Sequence, residues 1–99
     1  MNLSNIEITD HFLKRIKQRN VPIDLVRDCL KTGKKIRTDR NLLIDNQLIV
    51  CCLSLIDKAA LTVKYSKYIK PQIDRDAKKY MTRPEVIAGL YFESLGYKN

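Results

Sequence analysis

The spacing of apolar residues changes period once along this chain, near Ile36, and that change restricts what the chain can fold into. Before it, apolar residues recur at three and four: Phe12, Leu13 and Ile16, then Leu25, Val26, Cys29 and Leu30. This is the spacing of helices that bury one face. After it they alternate or run together, with Leu42, Leu43 and Ile44, then Leu48 to Leu55, then Leu61, Val63 and Tyr65. Those are strand patterns. A pair of one-sided helices followed by a group of strands buries its apolar surface by laying the helices on the sheet.

Local signals set the limits of each element. Thr9 or Asp10 caps a first helix running to about Asn20, with Lys14, Lys17 and Gln18 toward water. Pro22 suits the start of a second helix and Gly33 its end. Asp45 with Asn46, and Asp57 with Lys58, are turn residues, which predicts an antiparallel meander over about 36 to 44, 48 to 56 and 60 to 66. Beyond Pro71 the stretch Gln72 to Tyr80 is polar and shows no clear period. Thr82-Arg83-Pro84-Glu85 then has the form of a capping box and predicts a last helix, with Val86, Ile87, Leu90, Tyr91 and Leu95 on its apolar face and Gly96 closing it. The expected architecture is α+β in the order ααβββα: a helical hairpin packed on a three- to four-stranded antiparallel sheet, plus a C-terminal helix.

A chain of 99 residues is sized for a single domain over residues 1 to 99. Its longest apolar run, Leu48 to Leu53, is far short of the ~20 residues that span a bilayer. Met1 to Asp10 lacks the basic start and apolar stretch of a secretory signal, so a cytoplasmic location with no membrane partner is expected. Cys29, Cys51 and Cys52 form no disulfide framework, and with His11 as the single histidine no metal site is expected. No glycine-rich phosphate loop or dinucleotide fingerprint occurs, and no cofactor is expected.

Charge narrows the function. Nineteen Lys and Arg stand against eleven Asp and Glu, a net +8, and the excess lies in two blocks, residues 1 to 40 and 64 to 83, each +5. Brought together they make a face suited to a polyanion, since Lys and Arg gain by releasing its counterions. Apart, they are a solubilising surface. Lys78 and Lys79 in the second block are candidate RNA contacts.

On the first helix His11, Arg15 and Arg19 recur every fourth residue and share one edge beside Phe12 and Ile16. Side chains there are held by the core and still reach solvent, as an active site requires. The same stripe also fits arginines that lay their stems over the core rim.

The pattern Thr9-x-His11-x-x-x-Arg15-x-x-x-Arg19-x-Val21, with Val26, Leu30, Gly33 and a strand ending Leu61-Thr62-Val63, resembles an uncharacterised family of small RelE/ParE-like domains. That family is similar to the wider ribonuclease superfamily of barnase, EndoU, colicin tRNases and RelE-type toxins. The likeness covers residues 6 to 66. It implies a helical hairpin on a twisted antiparallel sheet and an RNA-cleaving toxin or a relative of one, with a small acidic antitoxin or immunity protein as partner. The tail, 67 to 99, is left as an extra RNA contact, an arm of a homodimer or a partner-binding element.

Metal-independent RNA cleavage needs a base for the 2′-hydroxyl, cations for the phosphorane and an acid for the leaving oxygen. An imidazole serves either proton task near neutral pH, which makes His11 the candidate. Guanidiniums offer paired donors, which suits Arg15 and Arg19 to the phosphate. Alternation on the third strand puts Thr62, Lys64 and Ser66 on one face, so Lys64 adds charge and Thr62 or Ser66 a hydrogen bond. Tyr68 is a candidate acid or stacking platform. Three functions follow: an endoribonuclease of toxin type, a non-catalytic basic nucleic-acid-binding or regulatory protein, and a protein-interaction module.

Overall fold

Thr9 sets the first helix in place. Its hydroxyl accepts from the Phe12 amide at 3.1 Å, satisfying one of the unpaired donors of the first turn, and donates to the Ala60 carbonyl at 2.7 Å. One residue thus caps a helix and ties it to the sheet. The computed structural model describes residues 7 to 97, so most of the N-terminal stretch considered for a signal lies outside the described residues. In chain order the elements are β1 (Glu7–Ile8), α1 (Asp10–Gln18), α2 (Ile23–Thr32), β2 (Lys34–Arg37), β3 (Asn41–Asp45), β4 (Ile49–Ser54), β5 (Ala59–Tyr65), α3 (Lys70–Lys79) and α4 (Pro84–Ser94).

The class is α+β, as expected, and the order is richer than ααβββα. The sheet has five strands in the order β1-β5-β4-β3-β2. It is mixed, because β1 runs parallel to β5, pairing Glu7 with Ala59 and Ile8 with Ala60. The stretch 36 to 44, expected as one strand, is a hairpin of β2 and β3. Thr38 divides it: its amide and hydroxyl both donate to the Asn41 carbonyl, and its hydroxyl accepts from the Asn41 amide. A threonine closing a turn on its own side chain competes with the ladder at that point. The later turns form where expected. Asn46 Oδ1 accepts from the Leu48 and Ile49 amides, and Lys58 takes a positive φ of 51° in the turn that Ser54 closes on Asp57.

The core lies between one sheet face and the helices. Phe12 and Ile16, Leu25, Val26 and Cys29, Ile73, and Ala88 and Phe92 form one buried cluster with Leu42, Ile44, Ile49, Cys51, Leu53, Ala60 and Val63. All four helices therefore contribute to the same side of the sheet. A register shift at Leu61 keeps β5 in phase: Thr62 pairs with Cys52 while Ala60 pairs with Leu53, leaving Leu61 as an extra residue. This bulge lets Ala60 and Val63 both face the core. On the opposite face, with Leu43, Asp45, Val50, Cys52, Thr62 and Lys64, no helix among the described residues packs its buried side, and only the start of α3 reaches the rim.

The tail departs most from expectation. Gln72 to Tyr80 lies in or ends a helix, α3, with Ile73 and Ala77 buried and Pro71 in its first turn, where a missing N–H does no harm. Thr82 does not cap the last helix; its amide closes the end of α3 on the Ala77 carbonyl at 2.9 Å, and Arg83 stands at the N-cap without a side-chain capping bond. The buried face of α4 is Ala88, Gly89 and Phe92, while Leu90 and Leu95 stay 61% and 49% exposed. Its orientation follows from Gly89, where an added Cβ would collide with the Asn20 amide, so that α4 presses its glycine against the α1–α2 turn. No described helix is long and apolar enough to cross a membrane.

Candidate nucleic-acid interface

The histidine and arginine stripe divides. His11 is exposed in the first turn of α1, and Arg15 Nε donates to its Nε2 at 3.4 Å while Arg15 Nη1 donates to Gln18 Oε1 at 3.0 Å. Arg19 turns the other way. Its Nη1 donates to the Val63 carbonyl on β5 at 2.5 Å, and its own carbonyl accepts from the Tyr65 hydroxyl at 2.5 Å. Beyond Ala60 the edge of β5 has no strand beside it among the described residues, because β1 ends at Ile8, and Arg19 satisfies a carbonyl that the sheet leaves open there. Arg19 is therefore a fastening of α1 to the sheet rather than a free guanidinium. Burial pushes the Tyr65 phenol well above its ordinary value, as fits a hydroxyl kept as a donor.

Lys64 points to the sheet's open face, opposite Val63. There it lines a groove of about 420 Å³ with Lys67 and Lys70, over the apolar residues Ile36, Leu43 and Val50. Asp45 is the carboxylate among its walls, and its Oδ1 already accepts from the Gln47 amide at 2.7 Å. Lys70 Nζ also meets Asp74 at 2.7 Å, an exposed pair within one helix turn. His11, Arg15 and Arg19 are not among the walls of this groove. The two halves of the expected site thus lie on different surfaces: His11 with Arg15 on the helix, Lys64 on the open sheet.

The remaining candidates separate in the same way. Thr62 is half-buried on the open face, opposite Cys52. Burial pushes the Cys52 thiol up, with the Lys64 charge acting in the opposite direction. Ser66 does not stand beside Lys64 on the solvated face. It is fully buried beyond the end of β5, where its hydroxyl accepts from the Tyr68 amide and its carbonyl from the Ile69 and Lys70 amides, so it starts α3. Tyr68 is exposed, with Lys67 Nζ 5.5 Å from its ring centre, and Lys78 and Lys79 are exposed at the end of α3. Cys29 and Cys51 are core residues. Among the described residues no three His, Cys, Asp or Glu side chains gather closely enough to hold a metal ion.

Sequence reasoning missed Lys67 and Lys70. The signal was present as Lys64-x-x-Lys67-x-x-Lys70, a spacing of three carried from a strand end through a turn into a helix. Neither strand nor helix periodicity alone puts those residues together. Neither a family model, nor a curated protein, nor a solved structure matches this chain.

Proposed function

We propose that the protein binds RNA along the open face of its sheet, with Lys64, Lys67 and Lys70 meeting phosphates. The observation that carries this reading is the convergence of those lysines on one groove with an apolar floor, in a chain of net charge +8. Ammonium groups on a polyanion release its counterions, and an apolar floor gives sugars and bases a surface to lie on. The resemblance of residues 6 to 66 to RelE/ParE-like domains favours RNA as the polyanion. On this reading the protein works in the cytoplasm.

A second reading, cleavage by a toxin-type endoribonuclease, is favoured by the exposed bond between Arg15 and His11. There Arg15 turns from His11 to the phosphate, which frees Nε2 to take the 2′-hydroxyl proton, and the oxygen attacks the adjacent phosphorus. Arg15 offsets the phosphorane charge, the bond from phosphorus to the 5′-oxygen breaks, and that oxygen takes a proton from water, giving 2′,3′-cyclic phosphate and 5′-hydroxyl ends. A small acidic antitoxin or immunity protein would be its partner.

One experiment separates the two. Binding of a labelled single-stranded RNA is measured against salt, for the wild type and for Lys64→Glu with Lys67→Glu, and the products are then resolved with and without EDTA. The salt slope should fall by about 0.7 for each phosphate that is no longer neutralised. An unchanged slope removes the groove from the interface. Cleavage that survives EDTA, fails on a 2′-deoxy substrate and is lost in His11→Ala makes the second reading the correct one; intact RNA throughout leaves the binding reading alone.

A further inference from the structure

Behind Tyr68, between α3 and α4, lies a second cavity of about 380 Å³, within the range of small-molecule clefts. Tyr68 and Tyr91 line it with Ile69 and Ile87, and its polar groups are Gln72 and Asp76. Gln72 Nε2 donates to both carboxylate oxygens of Asp76, at 3.2 and 3.1 Å, which holds the carboxylate while leaving acceptor capacity on both oxygens. Tyr91 is held by Phe92, whose ring meets it edge-on at 6.1 Å. Tyr68 connects this cavity to the lysine groove: Lys67, which lines the groove and not the cavity, lies over the Tyr68 ring. Tyr68 is thus the residue past which a strand with a phosphate on Lys67 would reach the cavity.

We propose that this cavity is a guanine-recognition subsite, in which Asp76 accepts from the N1–H and N2–H groups of the base, Gln72 faces O6, and Tyr68 and Tyr91 supply stacking surface. The choice of base follows from the polar groups. A carboxylate is an acceptor only, and guanine alone among the RNA bases presents two adjacent donors on its Watson–Crick edge. Unstacked bases of single-stranded RNA are commonly read in this way, by stacking and by hydrogen bonds to that edge. Asp76 is a held acceptor among aromatic and apolar walls, which suits it to the edge of a base and not to a phosphate. A guanidinium of a partner protein would suit the same walls, but a chain of net charge +8 disfavours a cationic partner.

The inference rests on the RNA-binding reading and is tested apart from it. The full chain is titrated with GMP, IMP, AMP, CMP and UMP, following tyrosine fluorescence, and separately with oligo(U) and with N-acetyl-arginine methylamide. GMP should bind at least about tenfold more tightly than AMP, CMP or UMP, the factor expected from one charge-assisted bond, with IMP, which lacks the N2 amino group, in between. Asp76→Asn should remove the preference for GMP over IMP, and Tyr68→Ala should weaken every nucleotide that binds. Equal binding of all nucleotides, or a GMP preference that survives Asp76→Asn, overturns the subsite. So does capture of the arginine analogue in place of GMP. Oligo(U) bound in a salt-dependent way alongside such a result leaves the RNA-binding reading standing; GMP selectivity without oligo(U) binding supports the cavity and removes the groove.

Discussion

Replacing Arg19 by alanine should destabilise the fold, whereas replacing Arg15, one turn earlier in the same stripe, should not. Arg19 Nη1 donates to the Val63 carbonyl across 44 positions of sequence, at a point past the end of the β1–β5 pairing. A bond from a charged donor contributes about 1.5 to 3 kcal/mol net. The bond is part-buried and Arg19 itself only half-buried, so water entering where the side chain stood regains part of the hydrogen bonding and the lower part of that range applies, about 1.5 to 2 kcal/mol. For a domain of this size that corresponds to a Tm lower by about 6 to 16 °C. Arg15 is bonded only to His11 and Gln18 on the exposed face, and Arg15→Ala should stay within about 0.5 kcal/mol of the wild type. Arg19→Lys should fall between, since an ammonium can reach one carbonyl but lacks the planar fork. Urea unfolding followed by far-UV circular dichroism measures all three, with an unchanged m-value as the check that the unfolded states are comparable. An Arg19→Ala protein as stable as the wild type, or an Arg15→Ala protein equally weakened, would refute the division of the stripe into a fastening and a free pair. Any loss of RNA cleavage in Arg19→Ala must be corrected for the folded fraction before it is assigned to chemistry.

Tyr65→Phe removes the bond to the Arg19 carbonyl and should lower stability at neutral pH by about 1 kcal/mol. Because burial raises the phenol in the folded state above its ordinary 10.0, the unfolded chain loses this proton first, so stability declines as pH rises past about 10 and Tyr65→Phe should flatten that decline in chemical-denaturation midpoints. Gly89→Ala should cost about 1 to 3 kcal/mol by driving a methyl into Asn20, which donates to the Glu85 carbonyl, and Asn20→Gly in the same chain should recover part of it, since Asn20 has φ 54°. Additive losses in that double-mutant cycle would contradict the contact. Phe92→Ala should destabilise by about 3 to 5 kcal/mol, while exposed Leu90→Ala should stay within about 0.5 kcal/mol; the reverse order would mean that α4 is turned about its axis.

What could be read from the sequence was what a short window determines. The two helices, the middle and last strands and both later turns follow from spacing and from Asn46, Asp57 and Lys58, each acting within a few residues. What could not be read depends on partners far along the chain. Glu7 and Ile8 are too few to show a period, and they become a strand only because β5 offers its edge at Ala59 and Ala60. Thr38 reads as strand by propensity, yet its hydroxyl binds Asn41 and divides the element. In α4 the apolar residues lie all round the helix, so the face read from spacing, with Leu90 and Leu95, is not the one that is buried. Gly89, pressed on Asn20, chooses it, and Phe92 goes inward with Leu90 outward.

The same distinction explains how the candidate site was read. Spacing of four puts His11, Arg15 and Arg19 on one helix edge, but an edge is not a surface. Over two turns that edge passes from solvent at His11 to the sheet rim at Arg19, and the backbone there claims the second guanidinium. On β5, alternation correctly turns Lys64 away from Val63, and this same alternation separates Lys64 from the helix it was expected to join: α1 packs on the Val63 face. A helix resting on one side of a sheet and a lysine pointing from the other cannot meet in one pocket unless something wraps the edge. The segment that does reach the open face is the turn into α3. There Ser66, expected to touch RNA, is buried as the anchor, and Lys67 and Lys70 are carried to the groove beside Lys64. The basic block at 64 to 83 was legible as charge; its convergence on the sheet depends on the hydrogen bonds of that buried serine.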